Sequence, residues 1–331
     1  MSRNAKSEMR VSVLTGCRIS RVELRPRPQP GPDEVLVRVI LCGVCASEFP
    51  VWTAGGGGMM AGMDEPVLGH EVVGIVESVG ERVFTVPPGT RVTGLIFGGF
   101  AEYALAPAVD VISVPEKVAD EDAMGEPLSC AISAVRRTRV DLGDRLAIVG
   151  LGYMGLLSLM ALVHKGAGTI YAVDPRPEAR ERARSLGADV ALAPGEVGPP
   201  LTLTAFDQIK KGHGLDVAVE AAGSPAALEL AGKIVREHGV LSVIGFHQNG
   251  PRSVDMELWN WKALEVLNAH ERRNRYQLDC LARGFRLIEA GKFHPSELIT
   301  HRLPLNQVDE AFRLMADKPR DFVKAVIRVW E

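Results

Sequence analysis

From Arg10 onward the first third of the chain sets short runs of alternating apolar and polar residues between Pro and Gly punctuation. Alternation with a period of two is the signature of half-buried strands. Residues 1 to about 9 are polar and are expected to be frayed. After the turn signal Pro30-Gly31-Pro32, Val35, Val37 and Val39 alternate with Leu36, Arg38 and Ile40, which predicts a strand. Glu71–Val79 is a second predicted strand. Pro87-Pro88-Gly89 marks a turn before Arg91–Ile96, and Phe100–Leu105 continues the β pattern. Gly55 to Gly58 are four consecutive glycines, a composition suited to a surface loop that caps a site.

Near Asp141 the rhythm changes. Strand-like runs at Arg145–Val149, Thr169–Val173, Asp189–Leu192, Asp216–Glu220, Val240–Ile244 and Leu264–Asn268 alternate with helical stretches at Met154–His164, Pro177–Leu186 and Pro225–Glu237. Strand and helix in strict alternation indicate a parallel sheet covered on both faces. After Glu271 the pattern departs again: a helical stretch runs to Ala290, followed by Asp309–Met315 and Phe322–Val329. The expected fold class is therefore α/β in two domains. A β-rich domain takes residues 1–129 and 271–331, and a doubly wound domain takes 130–270.

Composition narrows the function classes. The 331 residues suffice for two cores, and 46% hydrophobic with 24% charged residues is a globular balance. A formal net charge of −3 gives no electrostatic reason to expect a nucleic acid or an anionic membrane as partner. Cys17, Cys42, Cys45, Cys130 and Cys280 are few and scattered, and they read as reduced cytoplasmic thiols, some of them candidate metal ligands. The apolar run Leu146–Val163 is long enough to suggest a membrane span, but three glycines break it. A buried strand turning into a buried helix explains it better.

Those glycines are informative in their own right. Gly150, Gly152 and Gly155 form G-x-G-x-x-G directly after an apolar strand and at the start of a helix. The first permits a tight turn, the second lets a pyrophosphate approach the backbone, and the third lets helix and strand pack closely. Tyr153 and Met154, between the second and third glycines, belong to the same cofactor-binding stretch. The helix N-terminus then meets the phosphates with free N–H groups. Asp174 ends the next strand, where an acidic side chain accepts hydrogen bonds from the adenosine ribose hydroxyls and repels a 2′-phosphate. This favours NAD over NADP, with Arg176 as the residue that keeps NADP open.

Cys45 and His70, taken alone, match no compact zinc-finger spacing. Their setting adds the missing information. Gly43-Val44-Cys45-Ala46-Ser47-Glu48, then Gly69-His70-Glu71-Val72-Val73-Gly74, then Glu126-Pro127-Leu128, then G-x-G-x-x-G follow one another in order. Phe100-Ala101-Glu102-Tyr103, Glu220-Ala221-Ala222-Gly223 and Leu298-Ile299-Thr300-His301 add to the series. This order resembles the zinc-containing medium-chain dehydrogenases, especially the sorbitol and threonine dehydrogenase branch, over nearly the whole chain. The resemblance implies a GroES-like catalytic domain, a Rossmann cofactor domain and one catalytic zinc. It implies Cys45 and His70 as ligands, with Glu71 and Glu126 competing for the third place. It also implies Ser47 as the hydroxyl that bonds the substrate oxygen and Glu48 as a carboxylate orienting the metal site.

Two departures from the family pattern matter. Pro50 stands where many members carry the histidine that ends a proton relay, and the four-cysteine structural zinc lobe is missing, since no cysteine lies between 46 and 129. The resemblance implies hydride transfer between a nicotinamide cofactor and a secondary alcohol or ketone, such as a polyol, sugar, cyclitol or amino alcohol. It also implies a homodimer or homotetramer. A zinc-free quinone or enone reductase on the same scaffold and a non-catalytic NAD-binding protein are the competing readings. Arginines and acids around Glu271, Arg272, Arg273 and Arg275 are expected to form a solvated face. Trp259 and Trp261 are expected to pack in a core or an interface.

Overall fold

The computed structural model describes residues 7–56, 66–248 and 250–330. Gly57 and Gly58 of the glycine run lie outside the described residues, as do residues 1–6. Backbone contacts divide the chain into two compact units, Met1–Ser129 with Arg273–Glu331, and Cys130–Arg272.

The first unit opens with an antiparallel hairpin, β1 (Glu8–Gly16) and β2 (Ile19–Pro26). Glu8 and Met9 therefore belong to a strand rather than to a frayed end, because their backbones pair with Pro26 and Arg25. Then come β3 (Glu34–Gly43), the short helix α1 (Phe49–Ala54), β4 (Glu71–Val79), β5 (Arg91–Gly94), β6 (Tyr103–Pro107), β7 (Val111–Ser113) and α2 (Gly125–Arg137). The division between units falls inside α2.

The second unit continues with β8 (Arg145–Val149), α3 (Tyr153–Leu162), β9 (Thr169–Val173), α4 (Pro177–Ser185), β10 (Val190–Leu192), α5 (Phe206–Ile209) and β11 (Leu215–Glu220). It closes with α6 (Pro225–Ile234), β12 (Val235–Val243), α7 (Met256–Trp261) and β13 (Glu265–Asn268). The chain then returns to the first unit through α8 (Asn274–Glu289), β14 (Ile299–Pro304), α9 (Val308–Asp317) and β15 (Lys324–Arg328).

In the first unit seven strands form one sheet in the order β14-β15-β3-β4-β5-β7, with β6 also paired to β3. The returning strand β15 lies antiparallel to β3, so Val326 faces Gly43 and Ile327 faces Cys42. Val37, Val39, Val72, Val92, Phe100, Phe312 and Ile327 are among its buried core residues. Trp52 stacks on Phe312 at 5.1 Å while its indole nitrogen donates to Asp309 at 2.8 Å, satisfying the one polar atom of a buried ring.

The second unit is a six-stranded parallel sheet in the order β10-β9-β8-β11-β12-β13. Chain order reverses between β8 and β11, which is the switch point of a doubly wound dinucleotide fold. The apolar run from Leu146 is split between β8 and α3, and the side chains from Gly155 to Leu162 are all buried. Among the described residues no helix is long and apolar enough to cross a membrane.

Expected and observed elements differ at α6. The helix ends at Ile234 rather than Glu237, and Val235 already pairs with Leu215 of β11. The cause is Lys262, a fully buried lysine whose ammonium donates to the carbonyls of Gly232, Lys233 and Val235. These are end-of-helix carbonyls, which a cation satisfies well. Burial pulls this ammonium down to about 8.

Candidate metal centre and cofactor turn

Three donors from two segments converge at one end of the first unit's sheet. Cys45 follows β3 and caps a single 3-10 turn at Ala46–Glu48; His70 immediately precedes β4; Glu71 is the first residue of β4. Register explains the meeting, because Gly43 of β3 lies directly opposite Glu71. The Glu71 carboxylate crosses the face of Gly43, so a methyl group there would overlap its Oε2. A side chain at 43 and a carboxylate at this spot are mutually exclusive. The ligand atoms of Cys45, His70 and Glu71 lie within 4.8 Å of one another. Donors 2.0–2.3 Å from a tetrahedral zinc stand roughly 3.5 Å apart, so small side-chain movements close the set. Thiolate, imidazole and carboxylate are also the donor types that zinc takes, and the residues present fit the ion.

Glu48 backs the imidazole. Its Oε1 lies 3.0 Å from His70 Nδ1 and accepts the Gly69 N–H at 2.7 Å, while its Oε2 is buried without a hydrogen-bond partner. A carboxylate on Nδ1 leaves Nε2 as the outward nitrogen, the arrangement that orients a metal-binding histidine. Burial pulls the His70 imidazole down, but the Glu48 charge and the hydrogen bonds that the ring makes to Cys45 and Glu48 outweigh it and hold His70 well above its ordinary value. The Ser47 hydroxyl donates to Cys45 Sγ at 3.2 Å.

Glu71 has a partner that the sequence reading missed. Lys324 on β15 is buried, and its ammonium donates to Glu71 Oε1 at 2.8 Å and to the Val44 carbonyl at 2.9 Å. Lys324 thus braces the Cys45 segment and Glu71 at once. Burial alone would lower this lysine, yet Glu71 opposite it, with Cys45 and Glu126 adding, keeps it above its ordinary value. Of the two glutamates competing for the third place, Glu71 has its carboxylate in the donor cluster. Glu126, in the first turn of α2, is near enough to act on Lys324 through its charge but is not one of the clustered donors. Pro50 occupies the start of α1 and offers no titrating group.

In the second unit Gly150 directly follows β8 with φ +101°, and a Cβ there would lie 2.6 Å from the Ala222 nitrogen. A Cβ on Gly155 would run into the Gly150 carbonyl. The turn can only be this tight with glycine at both positions. Gly152 caps α3, with Tyr153 and Met154 in its first turn, and a Cβ on Gly152 would meet nothing within 4 Å. Asp174 is buried just beyond β9 and accepts the Leu151 N–H at 2.8 Å and the Arg176 N–H at 2.9 Å. The Arg176 guanidinium also lies on Asp174 and reaches the Leu151 carbonyl at 3.1 Å. The carboxylate already accepts from four donors, about its full lone-pair capacity, so a ribose hydroxyl would have to take the place of the Arg176 guanidinium.

Residues 31–116 match the alcohol dehydrogenase GroES-like domain, and residues 154–282 match the zinc-binding dehydrogenase domain. The chain belongs to the zinc-type medium-chain alcohol dehydrogenase family. It is similar to sorbitol dehydrogenase of Bacillus subtilis (strain 168), with 26% identity over 99% of each chain. It is also similar to L-threonine 3-dehydrogenase of Pyrococcus abyssi, with 27% identity over 95% of this chain and 96% of that one. The crystal structure of 2R,3R-butanediol dehydrogenase from Bacillus subtilis is 26% identical, with a TM-score of 0.79 over 97% of this chain and 99% of that chain.

Within this dehydrogenase fold two of the other family-like segments do structural work. Glu102 accepts the backbone and guanidinium of Arg10, at 2.9 and 2.8 Å. The Thr300 hydroxyl accepts the Val323 N–H at 3.0 Å and so positions the start of β15. Arg272, Arg273 and Arg275 are exposed as expected, whereas Glu271 is buried, its carboxylate accepting the Arg272 N–H at 2.8 Å. Trp259 packs against the second unit's core, and Trp261 meets Phe206 edge to face at 4.4 Å.

Proposed function

We propose that this chain is a zinc-dependent dehydrogenase that moves a hydride between NAD(H) and a secondary alcohol or its ketone. The convergence of Cys45, His70 and Glu71 within 4.8 Å is the observation that carries the reading. When bound, zinc supplies Lewis acidity that brings a hydroxyl pKa toward neutrality, as it lowers that of water from about 15.7 to about 7, and the nicotinamide ring supplies the hydride acceptor.

The chain's own residues do the rest. Cys45, His70 and Glu71 would hold the ion, leaving the fourth position that catalysis requires. Glu48 fixes the imidazole ring through Nδ1. Ser47, beside the Cys45 sulfur, is placed to accept a hydrogen bond from a substrate hydroxyl and to hold its proton. With Pro50 in the next turn the proton leaves Ser47 without a neighbouring imidazole. Gly150, Gly152 and Gly155, with Tyr153 and Met154, shape the turn for a pyrophosphate at the α3 N-terminus. Asp174 favours NAD because it would face a 2′-phosphate with like charge. Arg176 is committed to the Asp174 carboxylate, which keeps it from favouring NADP.

The relatives' substrates, sorbitol, L-threonine and butanediol, share a secondary alcohol flanked by a second polar carbon. A polyol, sugar, cyclitol or amino alcohol is the substrate class this supports. A cytoplasmic homodimer or homotetramer with free thiols completes the reading. Elemental analysis together with NADH formation across a panel of these alcohols tests it. One zinc per chain with NADH formation is the expected result. Full turnover of these alcohols in metal-free protein would remove the zinc mechanism.

A further inference from the structure

Holding an ion accounts for Cys45, His70 and Glu71, but not for the buried cation set against them. Lys324 and Glu71 are sealed from solvent, their side chains 5% and 2% exposed. The ammonium donates to Glu71 Oε1 at 2.8 Å and lies 2.5 Å from Oε2, so it stands close to both carboxylate oxygens at once. A cation chelated by a carboxylate takes that same position. The ammonium also donates to the Val44 carbonyl at 2.9 Å, in the residue directly before Cys45.

Both partners are held in place. Lys324 opens β15, where the Thr300 hydroxyl accepts its N–H at 3.3 Å and donates to its carbonyl at 3.2 Å. The Val44 N–H bonds the neighbouring Ala325 carbonyl at 3.0 Å, so backbone as well as side chain ties this strand to the Cys45 segment. On the other side Gly43 hems in the carboxylate, since a Cβ there would lie 1.9 Å from Oε2. Glu71 can therefore offer a metal ion one oxygen, but not a two-oxygen clamp.

Ions differ in how much this matters to them. Zinc is satisfied by four ligands and bonds well to thiolate and imidazole, so a single carboxylate oxygen completes its protein donors. Manganese, magnesium and calcium ions seek six or more oxygens and depend on carboxylate charge. The ammonium withholds the second oxygen from them and offsets the charge that attracts them, and the Cys45 sulfur is a poor replacement for either. We propose that Lys324, by occupying the chelating side of the Glu71 carboxylate, makes the donor cluster selective for a four-coordinate ion of the zinc type over divalent ions that need an oxygen cage. The proposal rests on the zinc dehydrogenase reading and adds to it the residue that selects the ion.

The test measures zinc binding by competition with a chromophoric chelator and manganese(II) binding from the electron paramagnetic resonance of the free ion. Metal-free parent chain, Lys324→Met and Lys324→Arg are compared. Met fills the space without charge, and Arg keeps a cation on the carboxylate. The ratio of zinc to manganese affinity should fall about tenfold or more in Lys324→Met, the scale on which residues behind a metal ligand act, and stay within about threefold of the parent in Lys324→Arg. A ratio unchanged in Lys324→Met overturns the proposal, and so does an equal fall in Lys324→Arg. Circular dichroism checks that each variant folds. Lys324→Gln, uncharged but still a donor, takes the place of the Met protein if that one does not fold, and the same fall in ratio is expected of it. A parent chain that takes up no zinc overturns the dehydrogenase reading itself, which separates the two failures.

Discussion

Lys324 stays charged in the interior because Glu71 lies opposite it, with Cys45 and Glu126 adding to the effect. Replacing Lys324 by Met would strand a buried carboxylate, a change that costs about 3–5 kcal/mol. We expect that loss in a urea melt of metal-free protein and a smaller loss once zinc is added, since the ion would then compensate Glu71. Glu48→Gln should lower zinc affinity 10–100-fold in a chelator competition while circular dichroism stays unchanged. Cys45→Ala or His70→Ala should abolish NADH formation and leave NADH binding within about twofold, since binding uses the other unit's turn. Cys45 and His70 were legible in the sequence because each sits in a short motif with its own glycine. Lys324 was not, because its partner is 253 residues away and a lysine at the head of an apolar strand looks like a surface residue.

Elements were legible where one residue pattern decides them. β4, β8 and β9 begin and end where alternation or an apolar run places them. α6 was overrun because Val235-Arg236-Glu237 continues a helix-compatible composition, and the lysine that ends the helix comes from beyond β12. A second long-range tie joins three strands at the same, amino-terminal end of the sheet. Asp216 of β11 accepts the Arg145 N–H of β8 at 2.8 Å and the Arg236 guanidinium of β12 at 2.7 Å. Burial raises this carboxyl, but the Arg145 and Arg236 contacts outweigh it and hold it below the ordinary carboxylate range. A folded-state value below the unfolded one of about 3.9 contributes stability above that pH, which is lost as acid titrates through the lower folded value. Asp216→Asn should therefore destabilise at pH 7, and the difference should shrink as pH falls through and below the ordinary carboxylate range, measured by thermal melts across that range. A constant difference over the whole range would mean that the tie acts through hydrogen bonding alone.

At the scale of the molecule, the alternation of strands and helices announced a doubly wound unit, and the change of rhythm near Asp141 announced a separate β-rich one. The sequence could not show which elements pair, because sheet order depends on contacts between distant segments. β15 inserting beside β3 is the main case. One zinc per chain should be removable by a strong chelator with loss of turnover, and turnover should return on adding zinc alone. If activity persists after the metal is gone, the donor cluster has a structural use only.

The pairing of β15 with β3 has a temporal consequence. Cys45, His70 and Glu71 leave the ribosome well before the strand that braces Glu71. At about 5–20 residues per second the 253 residues between Glu71 and Lys324 take roughly 13–50 s to synthesise. A nascent chain therefore displays a thiol, an imidazole and a carboxylate before the fold can hold them, and selective loading of the proposed zinc would wait until β15 has been made.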